Sequence, residues 1–518
     1  MNLFFLNYSF LFSVITSSFL SFSTSDKKID LYSIHLNNAP KQELSQAFSF
    51  PDPSSTQSKK KKFTIALSEK RVEFKQISVN KLTTVNLSPK GDTIKPGDTI
   101  IIEPGLRKNF LRIVNLSGSP KNPIVVINGL GKVIIHNEDK GGGLVFRNCN
   151  YIHITGTGHP QIKYGIKIDT AYLGATGMGI EEFSNHFEID HIEICNTGFA
   201  GLMVKTDPSC DSLTWMRNFE MKGIRIHDNY IHHTRGEGMY IGFSKPAPYK
   251  KRCGTDSLTV TAHRIKDLKI YNNVVSNTGF DGIQIGCATE AVEVYKNDIS
   301  LYGQRCDKDG RYYGMTGIVI GGGSCGAFYK NRLTDGMGSA FQIFGEGDIF
   351  LFDNTIIRAG QGAYCSEIKV NPSSIFADDR TKHEGYSIFI FNNTIVDPSG
   401  NAIDFRSRNH KNNVIVNNLI ITYLNSEEQK SLQLGKILVK STQETVVNGN
   451  IILSESKNEG KELNKLNRWF KNIRSDDYRL TQEGRIKLKS ESYSSEKLKQ
   501  LLLEDHQKVE VAEIVGAQ

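Results

Sequence analysis

The chain has 518 residues, of which 38% are apolar and 23% charged, which is enough apolar material for a large ordered core and excludes a chain disordered throughout. Forty-six glycines against fourteen prolines suit a turn-rich β protein, because such turns use backbone conformations that glycine adopts without strain. The formal charge of +8 favours anionic partners, with Lys59 to Lys62 supplying half of it, while two tryptophans and no interleaved basic and aromatic repeat argue against nucleic acid.

In chain order, Leu3 to Leu20 is an apolar, serine-rich run that passes into SFSTSDKKID and resembles a secretory signal peptide over residues 1–25, although it lacks an early Lys or Arg. It predicts a secreted, extracellular or periplasmic protein, with no membrane-spanning segment after signal removal. Residues 26–90 include PDPSSTQSKKKK and read as a flexible, linker-like segment. From Gly91 the character changes, and short β-runs alternate with Gly, Pro and Asn turns.

The organising stretch runs from Ile224 to Gly286, where IRIHDNYIHHTRGEGMYIG is followed, after an insertion, by LKIYNNVVSNTGFDGIQIG. Each block is an alternating strand ending in Asn, a polar turn, and a Gly that opens a second strand. The Asn recurs at Asn229, Asn273, Asn297, Asn331, Asn354, Asn393 and Asn418, and less cleanly at Asn450, with successive spacings of 44, 24, 34, 23, 39 and 25 for the first seven. The short spacings define a period of about 24 residues built from strands, which excludes the longer helical repeats. The predicted fold is all-β, a right-handed parallel β-helix over residues 91–456, with a charged C-terminal cap over 457–518 covering exposed strand edges and a helix-like stretch at Glu496 to Glu504. Stacked amides hydrogen-bonding along the column account for the Asn positions.

This pattern resembles the right-handed parallel β-helix proteins of the pectate lyase-like superfamily, and GDTIKPGDTIIIEPG with NPIVV and GKVII resembles the opening segment of the alginate lyase and chondroitinase B type of polysaccharide lyase. The resemblance implies a carbohydrate-active protein acting on a linear acidic, uronate-containing polysaccharide. GLMVKTDPSC resembles that family's strand carrying a lysine general base, which would make Lys205 the base. The family's calcium-binding carboxylates are not matched, since Ala200, Gly201 and Leu202 precede the lysine, so calcium is left open and no cofactor is required by the residues. Where that family carries an Arg on the next coil this chain reads MYIGF, and Arg235 is the nearest substitute, a substrate-binding cation able to lower the lysine's pKa.

Aligning the second strand of each repeat on its Gly or Ala gives GLMVK, GMYIG, GIQIG, GIVIG, AFQIF and AIDFR. Their third and fifth positions face solvent by the two-residue period of a strand. This predicts a substrate floor containing Met203, Tyr240, Gln284, Val319, Gln342 and Asp404, flanked by Lys205 and Arg406. Insertions at Thr206 to Phe219, Ser244 to Lys266 and Ser366 to Tyr386 are expected to leave the same corner and wall a cleft. Glu237 and Asp281 precede the opening Gly in consecutive repeats and would stack about 4.8 Å apart, near the spacing of the paired carboxylates of retaining glycosidases; they equally suit turn caps. Tyr240 serves as an acid or as a platform for a sugar ring, and His232 and His233 as turn residues. Three readings stay open: a polysaccharide lyase with Lys205 as base and Tyr240 as acid, a glycoside hydrolase using Glu237 and Asp281, and a non-catalytic polysaccharide-binding or adhesion protein. Among eight cysteines, Cys149, Cys195 and Cys365 read as buried thiols and Cys210 with Cys253 as a loop disulfide. Without C-x-x-C or a tight Cys/His cluster, structural zinc is not expected.

Overall fold

A computed structural model describes residues 61–80, 83–305, 314–361, 372–379, 385–424, 434–441, 443–456 and 466–489. Three long sheets of 13, 12 and 12 strands run side by side along the molecule, and every pairing within them is parallel. One coil shows the order: Glu220–His227 lies in the first sheet, Tyr230–Thr234 in the second and Met239–Ile241 in the third, and the next coil returns to the first sheet at Arg264–Tyr271. The protein is a right-handed parallel β-helix.

The interior is built by register. Ile226, Ile270, Val294, Phe328, Leu351, Ile390 and Ile415 pair in successive coils and form one buried column facing the axis. Burying each such side chain is worth about 1.5–3 kcal/mol, and a β-branched or aromatic chain fits a pleated surface that stacks on its own copy.

The corner between the first and second sheets needs two residues. The first is left-handed, with φ of 53° at Asp228, 53° at Asn272, 54° at Lys296 and 54° at Lys330. The second is the Asn. Its side-chain nitrogen donates to the Oδ1 of the next Asn at 3.1 Å from Asn229 to Asn273, 2.9 Å from Asn273 to Asn297 and 3.0 Å from Asn297 to Asn331, and the column continues through Asn354, Asn393 and Asn418 to Asn450. The same Oδ1 also accepts the backbone N–H of the Asn whose side chain donates to it, so this corner amide is paired as well.

Four expectations are corrected. Strands Lys62–Ile65 and Arg71–Glu73 already belong to the first and third sheets, so the linker-like segment ends much earlier than residue 90. Phe63, Ile65, Val72 and Phe74 supply the alternation, and the buried Arg107 guanidinium donates to the carbonyls of Ile65, Ala66, Leu67 and Glu69. The segment Ser366 to Tyr386 is not one insertion, because Ile375–Ala377 is a strand of the third sheet, paired to Phe341–Ile343 and Ile403–Phe405. His232 and His233 lie within strand Tyr230–Thr234 of the second sheet rather than in a turn. Within the C-terminal segment, Trp469, Phe470, Tyr478 and Leu480 pack on the outward side chains Ile357, Val396 and Ile421 of the second sheet, so the described part of the cap covers a sheet face. It contains the helix Gln482–Lys489, while the stretch at Glu496 to Glu504 and the signal-like residues 1–25 lie outside the described residues, as does Cys365.

Candidate active site

The outward column of the third sheet is set by its register: Met203, Tyr240, Gln284, Val319, Gln342, Phe376 and Asp404 follow one another in seven consecutive coils. Two insertions rise beside its first coils. Residues 205–219 and the hairpin Tyr249–Cys253 with Asp256–Val260 are tied together by the Cys210–Cys253 disulfide, with Cα atoms 5.6 Å apart, and by Lys251 Nζ donating to the Pro208 carbonyl at 2.8 Å. His263 is buried behind them; Nε2 accepts from the Thr206 N–H at 3.1 Å and Nδ1 donates to the Arg264 carbonyl, so burial holds a neutral ring whose pKa is lowered.

Against this wall five of the anticipated residues come together. Lys205 Nζ lies 3.0 Å from Asp207 Oδ1 and 4.5 Å from the centre of the Tyr240 ring. The Asp207 carboxylate and the face of the Tyr240 ring are both partners that suit an ammonium group. Tyr240 shares a 2.6 Å hydrogen bond with Ser244 Oγ, which also accepts from Gln284 Nε2 at 2.7 Å. Beneath lie Glu237 and Asp281, 7% and 2% exposed, stacked in adjacent coils with the Gly238 N–H donating to the Asp281 carbonyl at 2.8 Å.

The two carboxyls differ. Burial raises the pKa of Glu237, opposed by a backbone hydrogen bond and by the charge of Lys205, and its Oε2 is shielded from solvent without a hydrogen-bond partner. Asp281 is pushed up to about 8, first by burial and then by the charge of Glu237, against the Thr316 N–H that donates to Oδ1 at 2.7 Å. Burial thus raises the pKa of both carboxyls, and the charge of each makes ionisation of the other harder, so the two titrate as a coupled pair.

The other anticipated residues lie apart. Gln342 sits two coils beyond Gln284. Asp404 is buried and bound by Arg406 through two hydrogen bonds of 2.9 and 2.6 Å, with the guanidinium over Phe376, so these two satisfy each other. Arg235 is exposed in a different groove, beside His233, Gln304 and Arg305, and Lys205 is not among the residues lining it. Among the described residues, the His, Cys, Asp and Glu groups whose donor atoms converge as metal ligands lie on the first and second sheets. Asp207, Ser244 and Phe376 were missed; DPSC after the lysine and SKP after MYIGF were loop letters with no periodic signal.

No family model matches the sequence, and no curated protein matches it. Solved structures do resemble it. A GH136 lacto-N-biosidase from Eubacterium ramulus is 12% identical over 70% of this chain with a TM-score of 0.44, and the match spans 62% of that protein's length. An alginate lyase from Paenibacillus sp. str. FPU-7 is 18% identical over 57% of this chain and 87% of its own, TM-score 0.35. The A-module of the Azotobacter vinelandii mannuronan C-5 epimerase AlgE4 is 11% identical over 68% of this chain and 91% of its own, TM-score 0.35.

Proposed function

We propose that the protein is an exported glycoside hydrolase that binds a linear acidic polysaccharide along the outer face of the third sheet. The observation that carries this reading is the Glu237–Asp281 pair: two stacked carboxyls, one keeping its proton to about pH 8 and the other beside a cation. Glycoside hydrolysis needs that division, an acid to protonate the leaving oxygen and a carboxylate to attack the anomeric carbon. Asp281 is the acid and Glu237 the nucleophile. Stacking in adjacent coils sets their backbones about 4.8 Å apart, nearer the ~5–5.5 Å carboxyl separation of retaining enzymes than that of inverting ones, so the product is expected to keep its anomeric configuration. Lys205 receives the uronate carboxylate, Tyr240 stacks under a sugar ring, and Gln284 hydrogen-bonds to the hydroxyls.

The lyase reading expected from the lysine strand is weaker, because a base must be deprotonated and Asp207 and Tyr240 favour the ammonium of Lys205. A panel of acidic polysaccharides separates the two: hydrolysis gives saturated reducing ends, elimination an unsaturated product absorbing near ~235 nm by its conjugated double bond. Binding without cleavage is a second reading, favoured by the near-complete burial of both carboxyls. Under it, Glu237→Gln and Asp281→Asn leave binding unchanged and no product ever forms.

A further inference from the structure

A second cluster of titratable groups lies on the outer side of the first sheet, away from the proposed site and independent of it. His153 and Glu188 follow one another in one outward column, and Asp190 and His227 in the column two residues on. Strands Asn150–Thr155, Asn185–Asp190 and Glu220–His227, three consecutive coils, therefore bring donor atoms of His153, Glu188 and Asp190 within 4.8 Å of one another and set His227 beside Glu188. His153 Nε2 meets Asp190 Oδ2 and lies 4.0 Å from Glu188 Oε2, while His227 Nε2 is 2.7 Å from Glu188 Oε1. The four side chains are between 4% and 13% exposed. Glu188 Oε2 is shielded from water and accepts no hydrogen bond, which costs about 1–3 kcal/mol unless something else fills the position.

We propose that His153, Glu188, Asp190 and His227 form a binding site for a divalent transition-metal ion, zinc foremost, which clamps three coils of the β-helix together. One imidazole nitrogen and two carboxylate oxygens converge, and His227 Nε2, 2.7 Å from Glu188 Oε1, is the fourth donor at hand; such a nitrogen and oxygen set suits tetrahedral zinc, and imidazole disfavours the hard cations calcium and magnesium. The surrounding contacts are those of a metal site. His227 Nδ1 lies 2.7 Å from Asp228 Oδ2, an outer carboxylate that fixes the ring, and Asp190 Oδ1 is held by Thr155 Oγ1 at 2.5 Å and His191 Nδ1 at 2.6 Å. The neighbouring cation, Arg225, turns to Asp267 at 2.7 Å. By contrast, the Glu193, Cys195 and His232 group on the second sheet is already filled, because Lys132 and Lys167 sit 2.9 and 3.0 Å from the two oxygens of Glu193.

Both ring nitrogens of His227 face carboxylates, Nδ1 toward Asp228 and Nε2 toward Glu188, each at 2.7 Å. Cysteine spacing carries no sign of this set, whose residues span 74 positions from His153 to His227.

The test is calorimetric titration of the chelator-stripped whole protein with zinc chloride, in two buffers of different ionisation enthalpy. The expected result is one ion per chain, with proton release as the ligands lose their protons to bind. Glu188→Gln and His227→Gln should each weaken binding by at least about tenfold, and Asp228→Asn by about tenfold with unchanged circular dichroism, while Glu193→Gln binds as the wild type does. Asp228 is half-exposed, so that variant decides the matter even if a ligand variant fails to fold. No saturable binding by the wild type, or binding unchanged in Asp228→Asn and Glu188→Gln, overturns the proposal.

Discussion

The Asn corner and the third face are built from the same repeat, yet their hydrogen bonding is opposite. At the corner each buried amide donates and accepts within the column, from Asn229 through to Asn450. On the third face a buried carboxyl oxygen of Glu237 has no hydrogen-bond partner, and Asp281 keeps its proton to about pH 8. A closed network is what stability selects; an open one costs free energy and is retained where it does something else. Substitutions at the two places should therefore separate stability from activity.

The largest effect is expected on turnover. Glu237→Gln and Asp281→Asn should each lower kcat at least about a hundredfold, the usual size of a lost acid or base, with Tm unchanged or raised because an amide replaces a group whose charged form burial disfavours. Next comes the corner: Asn297→Ala removes a donor to Asn331 and an acceptor for Asn273, and should cost about 2–3 kcal/mol in denaturant unfolding while leaving the activity of the folded fraction intact.

The pH dependence sharpens the contrast. The folded pKa of Asp281, about 8, lies above its ordinary value of 3.8, so the native state holds a proton the unfolded chain has lost. Stability from this group is full at acid pH and falls as pH rises from about 4 to about 8. In metal-free protein, His227, raised from 6.5 to about 9, contributes stability that is full below about 6.5 and is lost as pH rises through about 9. Asp281→Asn should flatten the first slope and keep the second, measured as Tm against pH. The smallest effect is at Lys205: Lys205→Met should weaken binding of a uronate polymer by about tenfold, the size of one charge-assisted hydrogen bond, and spare a neutral polymer.

How much of this was readable follows from what repeats. The Asn column was legible because a corner that stacks on itself demands the same amide in every coil. The coil at Ile375–Ala377 was not, since Phe376 puts an apolar side chain outward and breaks the alternation, and no Gly or Ala opens the strand. Phe63, Ile65 and Val72 alternate correctly but stand beside a lysine run that reads as linker. Glu237 and Asp281 were visible as equivalent positions in two repeats. That Lys205 pairs with Asp207 was not, because Asp207 reaches it only through the path of the insertion.

The most direct measurement is product analysis on a panel of acidic polysaccharides with wild type, Glu237→Gln, Asp281→Asn and Asn297→Ala, each normalised to its folded fraction. The account predicts saturated reducing ends with retained configuration from wild type and Asn297→Ala, and loss of at least about a hundredfold from both carboxyl variants. Full activity in either carboxyl variant, or an unsaturated product from the wild type, would contradict it.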